Sequence, residues 1–361
     1  MCRCLLMFMR IFYNRHSYKI APFITLVSVA HLAVDAACAF LLLSLLGFYN
    51  NPLLALLLYN GVAFALQAPL GWVIDKWFNP KLAAILGLVC VAGSFLFFGS
   101  LYVALMLFSV GNALYHVGAG SLVLSLPDKK ATFSGIYVAP GAMGLAIGTS
   151  LAASGAHLPL ILFPIVLLVL CGLVYGVGMP NFIRIKQVST GVKVNLGWLL
   201  FLLILLVLVT ISIRSLVGLS MDYPWKQDQW LVYGLLAAVV GGKVVGGIVA
   251  DKFGLLKTGV LSLLLSTVLL SFCATVPVLA IPGAFLFNFS MPVTLIAVLN
   301  LLPAYRGLSF GLTTVALYLG ALPVLLGRND WIYNPLMGFA LILLSTITLF
   351  IALRFTKKTT I

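Results

Sequence analysis

Long apolar runs, separated by short polar or proline-containing turns, follow one another along almost the whole chain. About 20 apolar residues in an α-helix are enough to cross the roughly 30 Å hydrocarbon core of a bilayer. The pattern predicts twelve such spans, at residues 21–47, 52–75, 82–99, 101–126, 132–154, 157–179, 196–221, 228–250, 258–275, 277–301, 306–327 and 332–354. Turn residues such as Asn51-Pro52 and Pro180-Asn181 mark the breaks between spans. We therefore expect an all-α membrane protein.

A charged, glycine-bearing turn occurs twice, at matching places in the two halves of the chain. The copies are Gly71-Trp-Val-Ile-Asp75-Lys76 and Gly247-Ile-Val-Ala-Asp251-Lys252, whose residue numbers differ by a constant offset of 176. The same offset aligns several residues that an apolar composition would seldom match by chance: Asn112 with Asn288, Pro127 with Pro303, Lys130 with Arg306, Gly135 with Gly311, and Gly144 with Gly320. Repeats of this kind are common in membrane transporters. The chain is predicted to contain two homologous halves.

This turn, between the second and third spans of each half, resembles the signature loop of the major facilitator superfamily. The first copy departs from the family pattern, because Phe78 stands where a glycine is usual and Asn79-Pro80 replaces a basic pair, so we expect that turn to have a different shape. The resemblance implies twelve transmembrane helices in two pseudo-symmetric six-helix bundles. Two further stretches are similar to the fosmidomycin-resistance-type members of the superfamily: Gly111-Asn112-Ala-Leu-Tyr115-His116 and Ile213-Arg214-Ser-Leu.

The span pattern and the resemblance together divide the chain into five regions. We expect a cytosolic N-terminal tail (1–20), an N-terminal six-helix bundle (21–179), a cytosolic linker (180–195), a C-terminal six-helix bundle (196–354) and a cytosolic C-terminal tail (355–361). The first 20 residues contain no small-residue cleavage site before the first span, so they are expected to be retained; a cleaved leader is the alternative.

Composition and charge agree with a lipid environment. The chain is 63% hydrophobic and 8% charged, with a mean hydropathy of +1.20, well above a soluble domain. Its net charge of +14 would suggest nucleic acid in a soluble protein, but 17 of the 21 basic residues fall on one side of the predicted spans. By the positive-inside rule both termini are cytosolic. The expected partner is the lipid bilayer, most simply a bacterial cytoplasmic (inner) membrane, with no nucleic acid and a monomeric chain.

No enzyme chemistry is expected. The six cysteines lack metal-ligand spacing, and no cluster of histidine, cysteine and carboxylate residues along the sequence has it either. Gly242-Lys243 lacks the earlier glycine of a phosphate-binding loop, and no serine lies in a nucleophile elbow. We predict no metal and no cofactor.

Five titratable residues lie inside the predicted spans. A charge at mid-membrane costs about 2.5 to 3.5 kcal/mol on insertion scales, so each one needs a partner, a water-filled cavity or a function. They are His31 and Asp35 in span 1, His116 in span 4, Arg214 in span 7 and Lys243 in span 8, and the polar Gln67, Asn112 and Asn288 accompany them. Spans 3, 6, 9 and 12 contain none. In the fold that the resemblance implies, these four spans lie outside the central cavity.

Asp35 is the candidate for proton coupling. An aspartate in a cavity of low dielectric constant can be switched between protonation states by a nearby cation or by substrate. His31 lies four residues away on the same helical face, and His116 is the second coupling candidate because histidine titrates near neutral pH. The alternative is that Asp35 forms a purely structural ion pair with Arg214.

The remaining interior residues are candidates for substrate binding. Arg214 can bind a carboxylate, phosphate or phosphonate through its planar guanidinium group. Lys243 is the second cation, unless its side chain snorkels to the cytosolic surface. Two cations against Asp35 alone leave the interior positive, which favours an anionic substrate. The predicted substrate site comprises Arg214, Lys243, His31, Asn112, His116, Asn288 and Gln67.

The repeated turn is the candidate for conformational gating, a role that the resemblance implies. Its residues are Gly71, Asp75 and Lys76 in the first copy and Gly247, Asp251 and Lys252 in the second. Each aspartate ends an even-numbered span at the cytosolic surface, where it can face the N-terminus of a neighbouring helix. The alternative is an ordinary surface aspartate.

Three functional hypotheses follow. The first is a secondary active transporter that moves a small organic, and by the charge argument anionic, solute by proton-coupled alternating access. The second is a multidrug or antibiotic exporter, a proton antiporter whose cavity is lined by Tyr59, Tyr115, Tyr137, Tyr233 and Tyr318. The third is a membrane sensor or assembly factor that transports nothing.

Overall fold

The computed structural model describes residues 17–127, 130–178 and 197–359, and within these residues the regular structure is helical. The twelve helices are α1 (Ser17–Leu45), α2 (Pro52–Trp77), α3 (Pro80–Ser94), α4 (Leu101–Leu124), α5 (Lys130–Ala153), α6 (Pro159–Gly176), α7 (Trp198–Ser220), α8 (Gln229–Phe253), α9 (Leu255–Phe272), α10 (Pro277–Leu301), α11 (Arg306–Leu325) and α12 (Pro335–Thr359). Eleven of them are long and apolar enough to cross a membrane, and α3 is a shorter apolar helix. The prediction of an all-helical membrane protein is confirmed.

Some predicted boundaries differ from the observed ones. Helix α3 ends at Ser94 instead of residue 99, because the apolar residues that follow fold into successive turns and Phe95 packs its buried ring beside Phe163. Helix α12 continues to Thr359, through most of the predicted C-terminal tail. The predicted linker 180–195 lies outside the described residues, as does most of the predicted N-terminal tail.

Two helices are interrupted at polar or proline positions. The segments are Pro52–Asn60 and Gln67–Trp77 in α2, joined by a π-helical turn at Gly61–Ala65, and Pro277–Asn288 and Ser290–Leu301 in α10. In α10 the break lies one turn before Pro292, which has no N–H to donate to the carbonyl of Asn288. Such breaks leave backbone carbonyls free inside the protein, where they need other partners.

The helix pairings follow a regular scheme. Helix α1 packs on α5, and α3 packs on α4 and α6; six helices later, α7 packs on α11, and α9 packs on α10 and α12. Contacts between the first and second halves of the chain are made mainly by α5 with α8 and by α2 with α11, which are again counterparts six helices apart. Helices α3, α6, α9 and α12 expose large apolar side chains, including Leu86, Ile165, Leu265 and Phe350, to the surroundings of the protein. An apolar exterior of this kind suits contact with lipid.

Candidate functional site

Asp35 lies between two histidines. Its Oδ2 is 3.2 Å from Nε2 of His31 on the same helix, and its Oδ1 is 3.2 Å from Nε2 of His116 on α4. The two imidazole rings meet edge to face, with centroids 4.4 Å apart. Asn112, one turn before His116, donates its side-chain amide to Asp35 Oδ1 at 3.4 Å. We call His31, Asp35 and His116 the His–Asp–His cluster.

Backbone carbonyls fix which nitrogen of each histidine carries hydrogen. His31 Nδ1 is 2.8 Å from the carbonyl oxygen of Tyr137, and His116 Nδ1 is 2.9 Å from that of Asn112. A carbonyl oxygen can only accept, so each Nδ1 is the donor. In a neutral imidazole the lone pair is then on Nε2, the atom that faces Asp35. Lone pairs of nitrogen would thus meet lone pairs of the carboxylate at close range unless a proton or another cation lies between them.

The cluster is buried but not sealed. The side chains of His31 and His116 are 6% and 9% exposed, whereas that of Asp35 is 22% exposed, so the carboxylate is the most accessible part of the cluster. Small residues of α5 allow α1 to lie this close. A Cβ atom on Gly141 would be 2.6 Å from both Asp35 Oδ2 and His31 Nε2, and one on Gly144 would be 3.0 Å from Asp35 Cβ. Any larger side chain there would push the two helices apart.

Arg214 and Lys243 are buried cations from the second half of the chain, each about 8% exposed. In the described part of the protein neither lies within 4.0 Å of a carboxylate oxygen. Lys243 Nζ makes a long hydrogen bond of 3.5 Å to the carbonyl of Val138 on α5, and Arg214 Nε has no hydrogen-bond partner among the described residues. Lys243 is close enough to Arg214 for repulsion and to Asp35 for attraction. Burial of Lys243 argues against the snorkelling alternative, and Asp35 meets two histidines instead of the arginine.

A small cavity of about 30 Å³ adjoins Arg214 between the two halves of the chain. Its other walls come from α5, α7, α10 and α11 and include Val138, Ile211, Thr294, Phe310 and Thr313. The lining therefore combines one guanidinium group, threonine hydroxyls and apolar side chains. At this volume the cavity holds no more than a water molecule or two, so an organic solute would need a more open arrangement of the two halves.

The predicted polar residues do not all meet at this place. Asn288 lines a separate cavity of about 80 Å³ within the second half, together with Phe287 and Tyr223. Burial raises the pKa of Tyr223, which lies between α7 and α8, to about 12, so its hydroxyl stays protonated. Gln67 is fully buried in α2, donates to the carbonyl of Ala63 at 2.6 Å, and its Oε1 has no hydrogen-bond partner in the part of the chain that the structure describes. Asn288 and Gln67 are therefore not direct neighbours of the His–Asp–His cluster.

The aspartates of the repeated turn cap helices of the opposite half. Asp75 accepts hydrogen bonds of 2.8 Å from the backbone N–H groups of Gly307 and Leu308, at the start of α11. Asp251 accepts from the backbone N–H groups of Ala131 and Thr132 at 3.2 and 2.7 Å, and from the Thr132 hydroxyl at 2.6 Å. A carboxylate is well placed at a helix N-terminus, where unpaired N–H groups and the helix dipole favour negative charge.

The other residues of the turn behave differently from each other. Backbone atoms approach so closely at Gly71 and Gly247 that an added Cβ would collide with the carbonyl oxygens of Gly307 and Ala131. Lys76 and Lys252 point away from these contacts: the Lys76 ammonium lies 4.2 Å from the ring centre of Trp72, and that of Lys252 lies 5.2 Å from the ring centre of Phe253. Within the repeated turn, it is therefore the glycines and aspartates that contact the opposite half.

The two copies of the turn end differently, as their sequences predict. Helix α8 is followed by Gly254 with φ of +90°, a conformation that favours glycine, whereas α2 is followed by Phe78 in extended backbone with φ of −124°. Asn79 then caps α3 by accepting from the Lys81 N–H at 2.8 Å. Asparagine and proline thus replace the glycine of the second copy.

Sequence reasoning missed several partners of these residues. Thr132 carries no motif, although the repeat pairs it with Leu308, which makes the equivalent contact. The carbonyl of Tyr137 has no sequence signal at all, because any residue supplies a carbonyl. Of the tyrosines proposed to line an export cavity, Tyr115 and Tyr137 are completely buried, whereas Tyr233 is 58% exposed.

No protein-family model matches this sequence, and no curated protein matches it significantly. Solved structures do resemble it. The fucose:proton symporter FucP of E. coli, solved as a point variant, is 15% identical, with 94% of this chain and 99% of that chain covered and a TM-score of 0.65. A structure of FucP in the outward conformation gives 16% identity, 94% and 99% coverage, and a TM-score of 0.66. The human organic anion transporter MFSD10 gives 12% identity, 90% and 98% coverage, and a TM-score of 0.66.

These likenesses extend over nearly the whole length of each chain. At 12 to 16% identity they establish the fold and leave the substrate open. The resemblance to fosmidomycin-resistance-type members is not tested by them and stays a prediction. The chain is an integral membrane protein with the fold of the major facilitator superfamily transporters.

Proposed function

We propose that this protein is a secondary active transporter of the major facilitator superfamily that moves a small organic anion across a bacterial cytoplasmic membrane by alternating access, coupled to protons. In this proposal residues 21–179 and 196–354 form two six-helix bundles, both termini are cytosolic, and the chain acts as a monomer. The solute binds between the bundles.

The observation that carries the proposal is the pair of buried cations. Arg214 and Lys243 have no carboxylate partner in the described part of the protein, although a buried charge without a partner is costly. An anionic solute that binds between them would supply the missing charge. The fold is compatible with such a solute, since MFSD10 is named as an organic anion transporter.

Proton coupling is supported by the His–Asp–His cluster. Because both Nδ1 atoms donate to carbonyls, the two Nε2 atoms and the carboxylate of Asp35 need a positive occupant between them. Protons are the simplest occupant during transport, and FucP, with the same fold, is named as a proton symporter. Lys243 lies within electrostatic reach of Asp35, so the charge of the cluster influences the site for the anion.

Alternating access is supported by the paired caps. Asp75 and Asp251 each hold the N-terminus of a helix in the opposite half, at positions related by the repeat. Release of these few hydrogen bonds would let the bundles part on the side where the turns lie. The proposed gating residues are Gly71, Asp75, Gly247 and Asp251, with Lys76 and Lys252 orienting the turn in the membrane surface.

The experiment that tests the anionic substrate is ligand-induced thermal stabilisation of the purified protein. A panel of carboxylates, phosphonates and sulfonates is compared with neutral sugars and with uncharged and cationic drugs. We expect anions to raise the melting temperature of the wild type and of the control Arg328→Gln, an exposed arginine, but not of Arg214→Gln. Stabilisation by drugs or sugars alone, or an unchanged response of Arg214→Gln, would contradict the proposal.

A further inference from the structure

The donor atoms of the His–Asp–His cluster suit an occupant other than protons. Two imidazole nitrogens and a carboxylate oxygen, from His31, His116 and Asp35, lie within 4.8 Å of one another. Two histidines and one carboxylate are a common ligand set for Zn²⁺ and related transition metals. The sequence alone gave no hint of it, because His116 lies three helices after Asp35 and metal-ligand spacing is absent.

We propose that His31, Asp35 and His116 form a binding site for a divalent transition-metal ion of the Zn²⁺ type. The site is independent of the transported solute and goes beyond the proposed transport function. The ion occupies the space between the two Nε2 atoms and the carboxylate, so that it and the protons exclude each other.

The first argument is the direction of the lone pairs. With hydrogen on both Nδ1 atoms, each Nε2 presents its lone pair towards Asp35. Metal-bound histidine almost always donates its other ring N–H to a carbonyl or carboxylate, which fixes the ring and its tautomer. The carbonyls of Tyr137 and Asn112 do this for the two rings here. The outer hydrogen bonds of a metal site are therefore already made.

The second argument is spacing. Ligands 2.0 to 2.1 Å from a tetrahedral Zn²⁺ ion are about 3.3 Å from each other. Each Nε2 is 3.2 Å from a carboxylate oxygen, close to that value. The three ligand atoms all lie within 4.8 Å of one another, so an ion requires shifts of up to about 1.5 Å to bring each pair to the ideal separation.

The third argument concerns which cations fit and how they enter. Nitrogen donors favour Zn²⁺, Co²⁺, Ni²⁺ or Cu²⁺ over Mg²⁺ and Ca²⁺, which prefer oxygen ligands. Asp35 is the most exposed of the three ligands, so a cation would approach the cluster from its carboxylate. A site with three protein ligands and one open position is usual where a metal exchanges ligands. Nearby Lys243 lowers the affinity, because it repels the ion.

The experiment is equilibrium binding of Zn²⁺ and of Co²⁺ to the purified full-length chain without an affinity tag, at neutral pH. Cys2→Ser and Cys4→Ser are introduced together as the background, so that these thiols cannot contribute. Calorimetry gives the stoichiometry for Zn²⁺, and the visible absorption spectrum of Co²⁺ reports the ligands. We expect one ion per chain and a spectrum without the charge-transfer band of a thiolate ligand.

Variants then locate the site. His31→Gln and His116→Gln are expected to weaken Zn²⁺ binding by at least about tenfold. His157→Gln, an exposed histidine between α5 and α6, is the matched control and should bind as the wild type does. The proposal is overturned if the background protein binds neither metal, if the His31 and His116 variants bind unchanged, or if the Co²⁺ spectrum is that of cysteine ligation. The first of these results needs no substitution in the cluster, so misfolding of a cluster variant cannot hide it, and none of the results depends on transport.

Discussion

Asp251 is joined to Thr132 across the two halves of the chain by both the backbone N–H, at 2.7 Å, and the hydroxyl, at 2.6 Å. The repeat relates this contact to the one between Asp75 and the N–H of Leu308, at 2.8 Å. Each helix that receives such a cap is the fifth of its half. The two contacts act in parallel, so the strength of both sets how firmly this side of the protein is held closed.

Asp251→Asn is expected to weaken that closure. Hydrogen bonds to a charged group are worth about 1.5 to 3 kcal/mol, and the substitution removes the charge while keeping the size of the side chain. A loss of this order shifts an open–closed equilibrium by roughly 10- to 100-fold. Distances between spin labels at positions 81 and 257, which the repeat makes equivalent, should lengthen in the variant.

Asp228→Asn serves as the control for that measurement, because Asp228 is exposed and only caps its own helix, α8. It should leave the distance distribution unchanged. An Asp251→Asn protein with the wild-type distribution would show that the cap does not hold the halves together.

The glycines of the repeated turn should tolerate no side chain. A methyl group at Gly71 or Gly247 would collide with the backbone carbonyl of Gly307 or Ala131, and overpacking of this kind costs about 1 to 3 kcal/mol. Gly71→Ala and Gly247→Ala should therefore both lower the melting temperature and the transport rate.

Gly93→Ala and Gly172→Ala are the matched controls, since no atom of another described residue lies within 4 Å of a Cβ at these helical positions. They should be neutral or stabilise the protein by up to about 1 kcal/mol, as alanine favours a helix more than glycine does. Equal melting temperatures for Gly71→Ala and Gly93→Ala would contradict the close contact of α2 with α11.

The contacts between the halves could be predicted in part from the sequence, because each of them has an equivalent at the positions that the repeat relates. Gly311 packs on the backbone of Gln67, and Gly135 packs on the backbone of Lys243. Each contact joins the two halves, and the repeat offset of 176 converts one contact into the other. Small residues at equivalent positions mark places where two helices come close. Knowledge of one contact therefore gives the other.

The His–Asp–His cluster was only half predictable. The spacing of four residues places His31 beside Asp35, and it places Asn112 beside His116, on two separate helices. Nothing local states that α1 and α4 lie side by side with these faces together, since that depends on how α5 packs against both. The carbonyls of Tyr137 and Asn112 that accept from the two histidines could not be predicted either, because their positions depend on how the helices pack.

Lys243→Met should stabilise the protein and abolish its response to anions. The side chains are similar in size, and an unpaired buried charge carries a desolvation cost that an apolar group does not. We expect a higher melting temperature without ligand and no further increase with organic anions. Lys226→Met, at an exposed lysine between α7 and α8, should keep the wild-type response. A less stable variant that still binds anions would place Lys243 outside the site.

Asp35→Asn should separate substrate binding from proton coupling. An asparagine can donate an N–H to one Nε2 without any added cation, and its oxygen can accept from the other Nε2 when that histidine is protonated. The fold should therefore survive. Uphill uptake driven by a pH gradient in proteoliposomes should fall to the background, whereas exchange of internal for external solute, which moves no net proton, should continue.

Asp222→Asn, at an exposed aspartate after α7, is the control and should retain both activities. If Asp35→Asn still accumulates solute against its gradient, protons are carried elsewhere; if exchange is lost as well, Asp35 contributes to solute binding in addition to coupling.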